Sequence, residues 1–522
     1  MLQAIRRPLA LLALVGALGA ILLSYLTNNK ELENHLFKQV QGKNNTVLFL
    51  SNSNLGYSNV HLATAFALLE KHPSVKIHYG MFEKLRPRVE RVSEYGKRAN
   101  PAAQPISIHL LHSEEYIVAL KTRGVDPESS LITGPGWAGG AFFHRNFRWV
   151  LSPWLQEDHL DIYRDCADLI NTIDPAVVVL DPILRPAIEA TQDADRLYAV
   201  LSPNTFETFL KYQPWAKWLW KFPAVTTGYP YPLPWTYIPA NIASWARLIY
   251  NIVTMDTAEA RQFLKSKGIK DPLNFDEHHR VDSPWITQAM REAALPIEYL
   301  PPNVSAVGPI VFSAAPAEQQ DAELAQWIST APTVLINLGS MFMYTEERAR
   351  AMAGGIKLVL DKTDVQVLWK IKKAGVYGDE FREELEGYVD EDRLRIESWL
   401  TVDPAALVYE ENVVASVHHG GANCYHEALS AGIPHVILPL WADLFDFATY
   451  SEYYGIGVWA CRPTTPDWTA EGIAEALLKV LDNGEAGVAM RAEARRLGEI
   501  ARARPGRDAA AQIIADLAGT GK

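Results

Sequence analysis

The stretch Val413–Gly457, VVASVHHGGANCYHEALSAGIPHVILPLWADLFDFATYSEYYGIG, decides the fold predicted for this chain. Apolar runs at Val413–Val417 and His435–Leu440 have the composition of short buried strands, and helix-like segments follow them at Ala422–Ser430 and Phe445–Tyr454. Short apolar strands that alternate with helices are typical of a parallel sheet covered by helices. We therefore expect an α/β protein.

The turn between the first strand and the first helix carries Gly420 and Gly421. Glycines at the start of a helix let an anion approach the backbone, where free N–H groups and the helix dipole attract it. Asn423 and Glu427 lie four residues apart and share one helix face. Asn423 can reach the same anion, and Glu427 can accept hydrogen bonds from ribose hydroxyls. On its own, the glycine pair favours a turn without a ligand.

The longer pattern HHGGANCYHEALSAGIPHVILPLWAD, residues 418–443, resembles the donor-binding signature of the UDP-glycosyltransferases of glycosyltransferase family 1. The shared features are a His-Gly-Gly-x-Asn turn, a Glu four residues later, Gly-x-Pro, and then a Pro and an acidic residue. Weaker resemblance covers nearly the whole chain beyond its N-terminal segment. The resemblance implies the GT-B architecture, in which two Rossmann-like domains face each other across a cleft.

The resemblance also implies a UDP-sugar donor held by the second domain. Its expected contacts are a diphosphate oxygen at Gly339-Ser340, uracil at Trp399-Leu400, and sugar hydroxyls at Asp443. The remaining expected donor-binding residues come from the signature itself: His419, Gly420, Gly421, Asn423, Cys424 and Glu427. Three positions of the expected donor site depart from the family pattern: Leu444 replaces a Gln, and Thr401-Val402 replace Pro-Gln.

The catalytic base is the largest departure from the family. In the family's first loop a Gly precedes the catalytic His, whereas Tyr57 follows Gly56 here. We predict that His61, one helical turn further on, acts as the base, with Tyr57 as the rival candidate; the alternative for His61 is a structural histidine near a helix N-terminus. Asp181 ends an apolar strand and is a further catalytic candidate, although such residues more often cap the next helix.

Length and composition restrict the remaining possibilities. At 522 residues the chain is too long for one core, which indicates two domains. A net charge of −12 without a basic cluster argues against a nucleic-acid partner. Three widely spaced cysteines form neither a disulfide framework nor a metal site, so we expect no metal. We also expect no cofactor, because the UDP-sugar is a co-substrate; the oligomeric state is open.

The predicted domain order has four parts. Residues 1–28 form a membrane anchor or signal, and residues 44–312 form an acceptor-binding domain. Residues 313–330 are rich in Ala, Pro and Gln, as in a linker. Residues 331–522 form the donor-binding domain, whose last helix crosses back to the first domain as the resemblance implies.

The N-terminal segment predicts membrane attachment. Pro8–Leu26 is uncharged and apolar, close to the length that crosses a bilayer, and it follows Arg6 and Arg7. We favour an uncleaved anchor over a cleaved signal, and expect a single-pass protein of the endoplasmic reticulum, of the fungal type within the family. Both a lumenal body and a cytosolic body on a hairpin anchor stay open.

Two further segments are unusual in composition. Residues 215–250 are rich in Trp, Tyr and Pro, which favours contact with an apolar acceptor or a membrane, with a subdomain that packs on itself as the alternative. Regular structure is not expected in Pro223–Pro239. Leu131–Gly140 is rich in glycine and is predicted to be a mobile loop.

The expected reaction is inverting transfer of a hexosyl unit from a UDP-sugar to a hydroxyl of a small apolar or lipid-like acceptor. A base removes the hydroxyl proton while UDP leaves. The alternative function is a membrane-anchored nucleotide-sugar-binding protein without catalysis, for which Tyr57 is the best support.

Overall fold

The computed structural model describes residues 39–126, 129–275 and 283–520. The anchor predicted at residues 1–28 lies outside these ranges. Within them, no helix combines the length and the apolar character that a membrane crossing requires.

The first domain is built on a parallel sheet. Its strands in the described residues are β1 (Lys43–Leu50), β2 (Lys76–Met81), β3 (Ser107–Leu110), β4 (Pro175–Leu180), β5 (Tyr198–Ser202), β6 (Trp285–Thr287) and β7 (Val304–Ala306). They pair in the order β3-β2-β1-β4-β5-β6-β7. The helices are α1 (Leu55–Lys71), α2 (Arg86–Ala99), α3 (Tyr116–Thr122), α4 (Gly136–Leu151), α5 (Gln156–Ile173), α6 (Arg185–Asp193), α7 (Lys217–Trp220), α8 (Ile238–Val253) and α9 (Ala258–Ser266).

The second domain repeats the design with a smaller parallel sheet. Its described strands are β8 (Thr333–Ile336), β9 (Gln366–Lys370), β10 (Leu394–Glu397), β11 (Val413–His418), β12 (His435–Ile437) and β13 (Gly457–Trp459), in the order β10-β9-β8-β11-β12-β13. The helices are α10 (Ala317–Gln320), α11 (Ala322–Ile328), α12 (Glu346–Leu360), α13 (Glu386–Asp390), α14 (Pro404–Val408), α15 (Ala422–Ala431), α16 (Leu444–Tyr453), α17 (Ala470–Leu481), α18 (Glu485–Ala503) and α19 (Gly506–Thr520).

Strand β1 shows why both sheets are buried on two faces. Val47 and Phe49 enter one buried cluster, while Leu48 and Leu50 enter the cluster on the opposite face. Successive side chains of a strand point to opposite faces, so a strand that is apolar throughout needs helices on both sides. The two domains are therefore α/β layers of the Rossmann type.

The two domains share packing at the end of the chain. Pro505 separates α18 from α19, so the single C-terminal helix expected from the sequence is two helices. Ile514 and Leu517 of α19 are buried in the same cluster as Val47 of the first domain. Arg91 in α2 also forms an ion pair of 2.7 Å with Asp403 of the second domain.

The glycine-rich segment is not the mobile loop that composition predicts. Helix α4 begins at Gly136 and continues through Gly139 and Gly140. A Cβ on Gly139 would lie 1.5 Å from the carbonyl oxygen of Gly134, and one on Gly140 would lie 2.3 Å from Oγ1 of Thr226. These glycines therefore allow close packing around the start of the helix. The prediction of no regular structure in Pro223–Pro239 is correct up to Pro234 and wrong beyond it, because a short 3-10 helix at Trp235–Tyr237 leads into α8, which contains Pro239.

Candidate active site

The donor turn connects β11 to α15. Gly420 has a φ of +85°, and a Cβ at this position would lie 2.8 Å from the carbonyl oxygen of Leu444, so only glycine fits without strain. Gly421 is the N-cap of α15 and brings no side chain to the first turn. No side chain caps the N–H groups at the start of α15. An uncapped helix N-terminus is an arrangement that can bind a phosphate group.

His419 lies beside this helix end, against the loop that follows β8. Gly339 has a φ of +81°, and a Cβ at this position would lie 2.7 Å from Cε1 of His419. Any larger residue here would therefore overlap the imidazole. Burial, together with the charge of Lys370, lowers the pKa of His419 to about 4. The imidazole of His419 is thus neutral, and its Nδ1 is buried without a hydrogen-bond partner in the described part of the chain. His419 and the neighbouring Ser340 offer polar atoms next to the helix N-terminus.

Lys370 is a site residue that the sequence reasoning missed. It is the last residue of β9, its ammonium donates a hydrogen bond to the carbonyl oxygen of Gly339, and it lies 4.9 Å from the ring centroid of Trp399. Burial lowers the pKa of Lys370 to about 8, while nearby Cys424 and Glu427 act in the opposite direction. The available signal was its position, because the carboxyl ends of parallel strands are where ligands bind in open α/β sheets.

Trp399 and its neighbours form the region where the resemblance places the nucleobase. The indole is 48 % exposed, whereas Leu400 is buried. Thr401, which stands in place of a family proline, donates a hydrogen bond of 2.8 Å to Asp321 and so faces away from a nucleobase contact. Trp399 thus leaves about half of its surface exposed beside Lys370.

Glu427 and Cys424 lie one turn apart along α15. Burial raises the pKa of Glu427 to about 7, with Asp403 adding to the rise and Lys370 opposing it. Burial also raises the pKa of the Cys424 thiol, so this side chain stays protonated at neutral pH. Glu427 is partly exposed, and the charge of Lys370 opposes the rise of its pKa. A cation therefore lies near the carboxyl group that is expected to bind the ribose.

The donor turn touches the first domain directly. The side-chain amide of Asn423 donates a hydrogen bond of 2.8 Å to the carbonyl oxygen of Leu55, at the start of α1. Asn54, which caps α1, contacts the sulfur of Met341 beyond β8 at 3.5 Å. In this structure the Asn423 amide therefore joins the two domains at the cleft, beside the first turn of α1, which carries Tyr57.

Asp181 directly follows β4, next to the Asn52 segment that leads into α1, and is fully buried. It accepts hydrogen bonds from the backbone N–H of Asn52 at 3.2 Å, from the Asn52 side-chain amide, and from the backbone N–H of Ile183 at 2.9 Å. Burial outweighs these bonds and raises the pKa of Asp181 to about 7. The Asp181 carboxyl therefore titrates near neutral pH. Asn52, which binds it, is a second residue that the sequence reasoning missed.

Tyr57 and His61 occupy different environments although they are one helical turn apart. Tyr57 is partly exposed, and burial with the charges of Asp443 and Asp181 raises its pKa. His61 is fully buried, 6.2 Å from the Phe49 ring, with its Nδ1 3.2 Å from the carbonyl oxygen of Tyr57. Burial lowers the pKa of His61 to about 4. Tyr57 therefore faces the cleft, whereas His61, one turn further along α1, lies in the core.

The region at the start of α16, where the resemblance places the sugar, is acidic. Asp443 precedes α16 and is partly exposed, and burial followed by the charge of Glu207 raises its pKa to about 6. Asp446 is buried, and its Oδ2 has no hydrogen-bond partner in the described part of the chain. Leu444 packs in the core of the second domain. A Leu at this position therefore gives the sugar no hydrogen bond.

Within the described ranges 39–126, 129–275 and 283–520, no group of three or more His, Cys, Asp or Glu side chains is placed to hold a metal ion.

Two sequence comparisons bear on the identity of this site. The model for the family described as "UDP-glucoronosyl and UDP-glucosyl transferase" matches residues 246–506. "Glycosyltransferase sdnJ" of Sordaria araneosa is 34% identical over 511 residues, covering 92% of this chain and 99% of the relative. This chain belongs to the UDP-glycosyltransferase family. It is therefore a glycosyltransferase of the class that uses UDP-sugar donors.

More distant relatives of this glycosyltransferase match a shorter region. The mouse (Mus musculus) 2-hydroxyacylsphingosine 1-beta-galactosyltransferase is 28% identical over 211 residues, covering 39% of this chain and 34% of that protein.

Solved structures agree on the fold. A UDP-glucosyltransferase from Polygonum tinctorium, described as capable of glucosylating indoxyl, aligns with a TM-score of 0.61 at 14% identity, covering 92% of this chain and 99% of the other. UGT2 of Phytolacca americana, solved with UDP-2fluoro-glucose and pterostilbene, aligns with a TM-score of 0.56 at 13% identity, covering 92% and 99%. The glycosyltransferase thus has the GT-B fold.

Proposed function

We propose that this glycosyltransferase moves a hexosyl unit, with inversion at the anomeric carbon, from a UDP-sugar to a hydroxyl of a small apolar or lipid-like acceptor. The observation that carries the proposal is the hydrogen bond from Asn423 to Leu55. It brings the donor turn against the first turn of α1, which carries Tyr57, so a sugar on one domain would meet an acceptor on the other. Non-catalytic binding of a nucleotide sugar would not need this junction.

In the proposed step, the acceptor oxygen forms a bond to the anomeric carbon while the bond from that carbon to UDP breaks. The hydroxyl proton passes through the Tyr57 hydroxyl to Asp181, whose pKa of about 7 suits a base at neutral pH. The charge on the departing UDP is stabilised by Ser340, His419 and the N-terminus of α15. The competing prediction, direct proton transfer to His61, requires the core beneath α1 to open.

Donor choice in this proposal depends on Asp443. This carboxylate contacts sugar hydroxyls, and the buried Leu444 leaves the place of the family's Gln without a polar side chain. A hydroxyl that lost its water there without gaining a partner would cost about 1–3 kcal/mol. We therefore expect relaxed donor choice, or preference for a deoxy sugar, over strict glucose specificity, unless Asp446 or a water makes the contact.

The test is release of UDP by the purified enzyme with a panel of UDP-sugars and apolar alcohols. Release that depends on the acceptor, together with a β-linked product from an α-linked donor by NMR, supports inverting transfer. Retained UDP-sugar without acceptor-dependent release would support the nucleotide-sugar-binding alternative. A product with the donor's own anomeric configuration would contradict inversion.

We also propose that residues 1–28 anchor the enzyme in the endoplasmic reticulum as a fungal-type family member. The support is the uncharged run Pro8–Leu26 after Arg6 and Arg7, and the match along most of the chain to the Sordaria araneosa protein. In a fractionated cell the full chain should stay with microsomal membranes after alkaline wash. A variant lacking residues 1–28 should be released, and equal behaviour of the two would contradict the anchor.

A further inference from the structure

Two buried histidines lie directly beneath the donor turn. His418 is the last residue of β11 and His435 is the first residue of β12, and both are fully buried. The His418 Nε2 and the His435 Nδ1 are 3.0 Å apart. The backbone N–H of Gly420 donates to Nδ1 of His418 at 3.1 Å.

These bonds fix the protonation pattern of both rings. Because Gly420 supplies the proton at Nδ1 of His418, that nitrogen is an acceptor, and the ring's own proton must be on Nε2. Nε2 of His418 then donates to Nδ1 of His435, whose proton is on its Nε2. Burial lowers the pKa of both rings, of His435 to about 3, which agrees with a neutral pair.

The pair bears on the geometry of the donor turn. A polar pair in a core is a costly way to fill space, since apolar side chains pack equally well there. Gly420 has a left-handed conformation, and its N–H points inward to His418, away from the cleft. This bond turns the following residues so that the N-terminus of α15, which begins at Ala422, faces the cleft.

We propose that His418, supported by His435, is a positioning residue that fixes Gly420 and thereby orients the diphosphate-binding N-terminus of α15. The inference rests on the proposed donor site. Neither ring touches substrate, because both are closed off below the turn. The bond that matters is the acceptor at Nδ1, so a side chain with an acceptor in the same place should replace His418.

The test compares variants of the full chain by calorimetric titration with UDP and by thermal unfolding. His418→Leu removes the acceptor and should weaken UDP affinity about tenfold or more. His418→Asn keeps an oxygen near the position of Nδ1 and should stay within about threefold of wild type. Val417→Ala, a core change on the same strand, is the matched control, and should lower Tm without changing UDP affinity.

The outcomes distinguish failure of the positioning role of His418 from failure of the proposed donor site. If wild type binds UDP and His418→Leu binds it equally well, the positioning role is wrong while the donor site stands. If His418→Asn is as weak as His418→Leu, the acceptor is not what matters and the role is again wrong. If wild type itself does not bind UDP, the proposed donor site fails, and this inference fails with it. Faster hydrogen exchange of the peptide around Gly420 in His418→Leu alone would give independent support.

Discussion

Single residues around the cleft have chemistry that depends on their depth in the protein. Asp181 and Glu427 are carboxyls whose pKa values are raised to about 7 by burial, and His61 is an imidazole whose pKa is lowered to about 4 for the same reason. Loss of hydration disfavours the charged form of each group. Asp181 and Glu427 therefore titrate near neutral pH, whereas His61 is uncharged there.

Glu427 gives the first prediction at this scale. Glu427→Ala should weaken UDP binding by about ten- to a hundredfold, because the ribose hydroxyls lose an acceptor worth about 1.5–3 kcal/mol. Calorimetric titration with UDP measures the loss. Glu427→Gln keeps an acceptor oxygen and should lose much less. Unchanged affinity in Glu427→Ala would remove this residue from the donor site.

Tyr57 and His61 give the second prediction. Tyr57→Phe should lower kcat by about a hundredfold or more with UDP affinity nearly intact, because the relay of the acceptor proton is broken. His61→Ala should mainly lower Tm, because it leaves a cavity in the core. Steady-state kinetics and thermal unfolding of the two variants measure both effects. If His61→Ala loses turnover at unchanged stability while Tyr57→Phe is active, His61 is the base as the sequence predicts.

Asp181 gives a prediction about pH. Its folded pKa of about 7 lies above the unfolded value, so the folded state binds the proton more tightly. The stability from that proton is present at acid pH and is lost as pH rises through about 7. Asp181→Asn should therefore have a flatter decline of unfolding free energy between pH 5 and pH 8 than wild type. Denaturant titrations at several pH values test the slope, and an unchanged slope would contradict the assignment.

At the scale of elements, helix α4 shows glycine used for close packing. A Cβ added to Gly139 or Gly140 would overlap Gly134 or Thr226. In the same turn, the ring centroid of Trp137 lies 3.9 Å from the Arg247 guanidinium of α8. A composition rich in glycine cannot distinguish a mobile loop from a helix pressed against its neighbours, because both need small residues.

Paired glycine substitutions test this use. Gly139→Ala should lower the free energy of unfolding by about 1–3 kcal/mol, because its Cβ overlaps the Gly134 carbonyl. Gly387→Ala, in helix α13 with no atom within 4 Å of its Cβ, should be neutral or stabilising by up to about 1 kcal/mol. Denaturant unfolding of the two variants provides the measurement. A harmless Gly139→Ala would mean that α4 is not packed as closely as described.

At the scale of the whole molecule, the last helix ties the two domains together. Helix α19 follows the second domain in sequence, yet its buried residues complete the core of the first domain beside α1 and β1. A second shared cluster joins Leu210 and Trp218 of the first domain to Tyr425 and Leu497 of the second. We expect the domains to unfold together.

Ile514 tests this coupling. Ile514→Ala should lower stability by about 2–5 kcal/mol, because it opens a cavity between α19 and the first domain. Gln512→Ala, on the exposed side of the same helix, should change it little. Calorimetry should show one transition that moves as a whole in Ile514→Ala. Separate transitions, with only one of them shifted, would contradict a shared core.

The sequence by itself determined the α/β class, because apolar strand runs and glycine positions are local properties, and the resemblance of residues 418–443 to the UDP-glycosyltransferase signature implied the GT-B fold and a donor turn. The tertiary structure decided what depends on distant contacts. Lys370 joins Trp399 and Gly339 only when three strand ends meet, and Asn52 reaches Asp181 only across paired strands. The burial of His61 depends on the sheet beneath α1. Spacing along a helix shows which residues share a face, and only packing shows which part of that face lies in water.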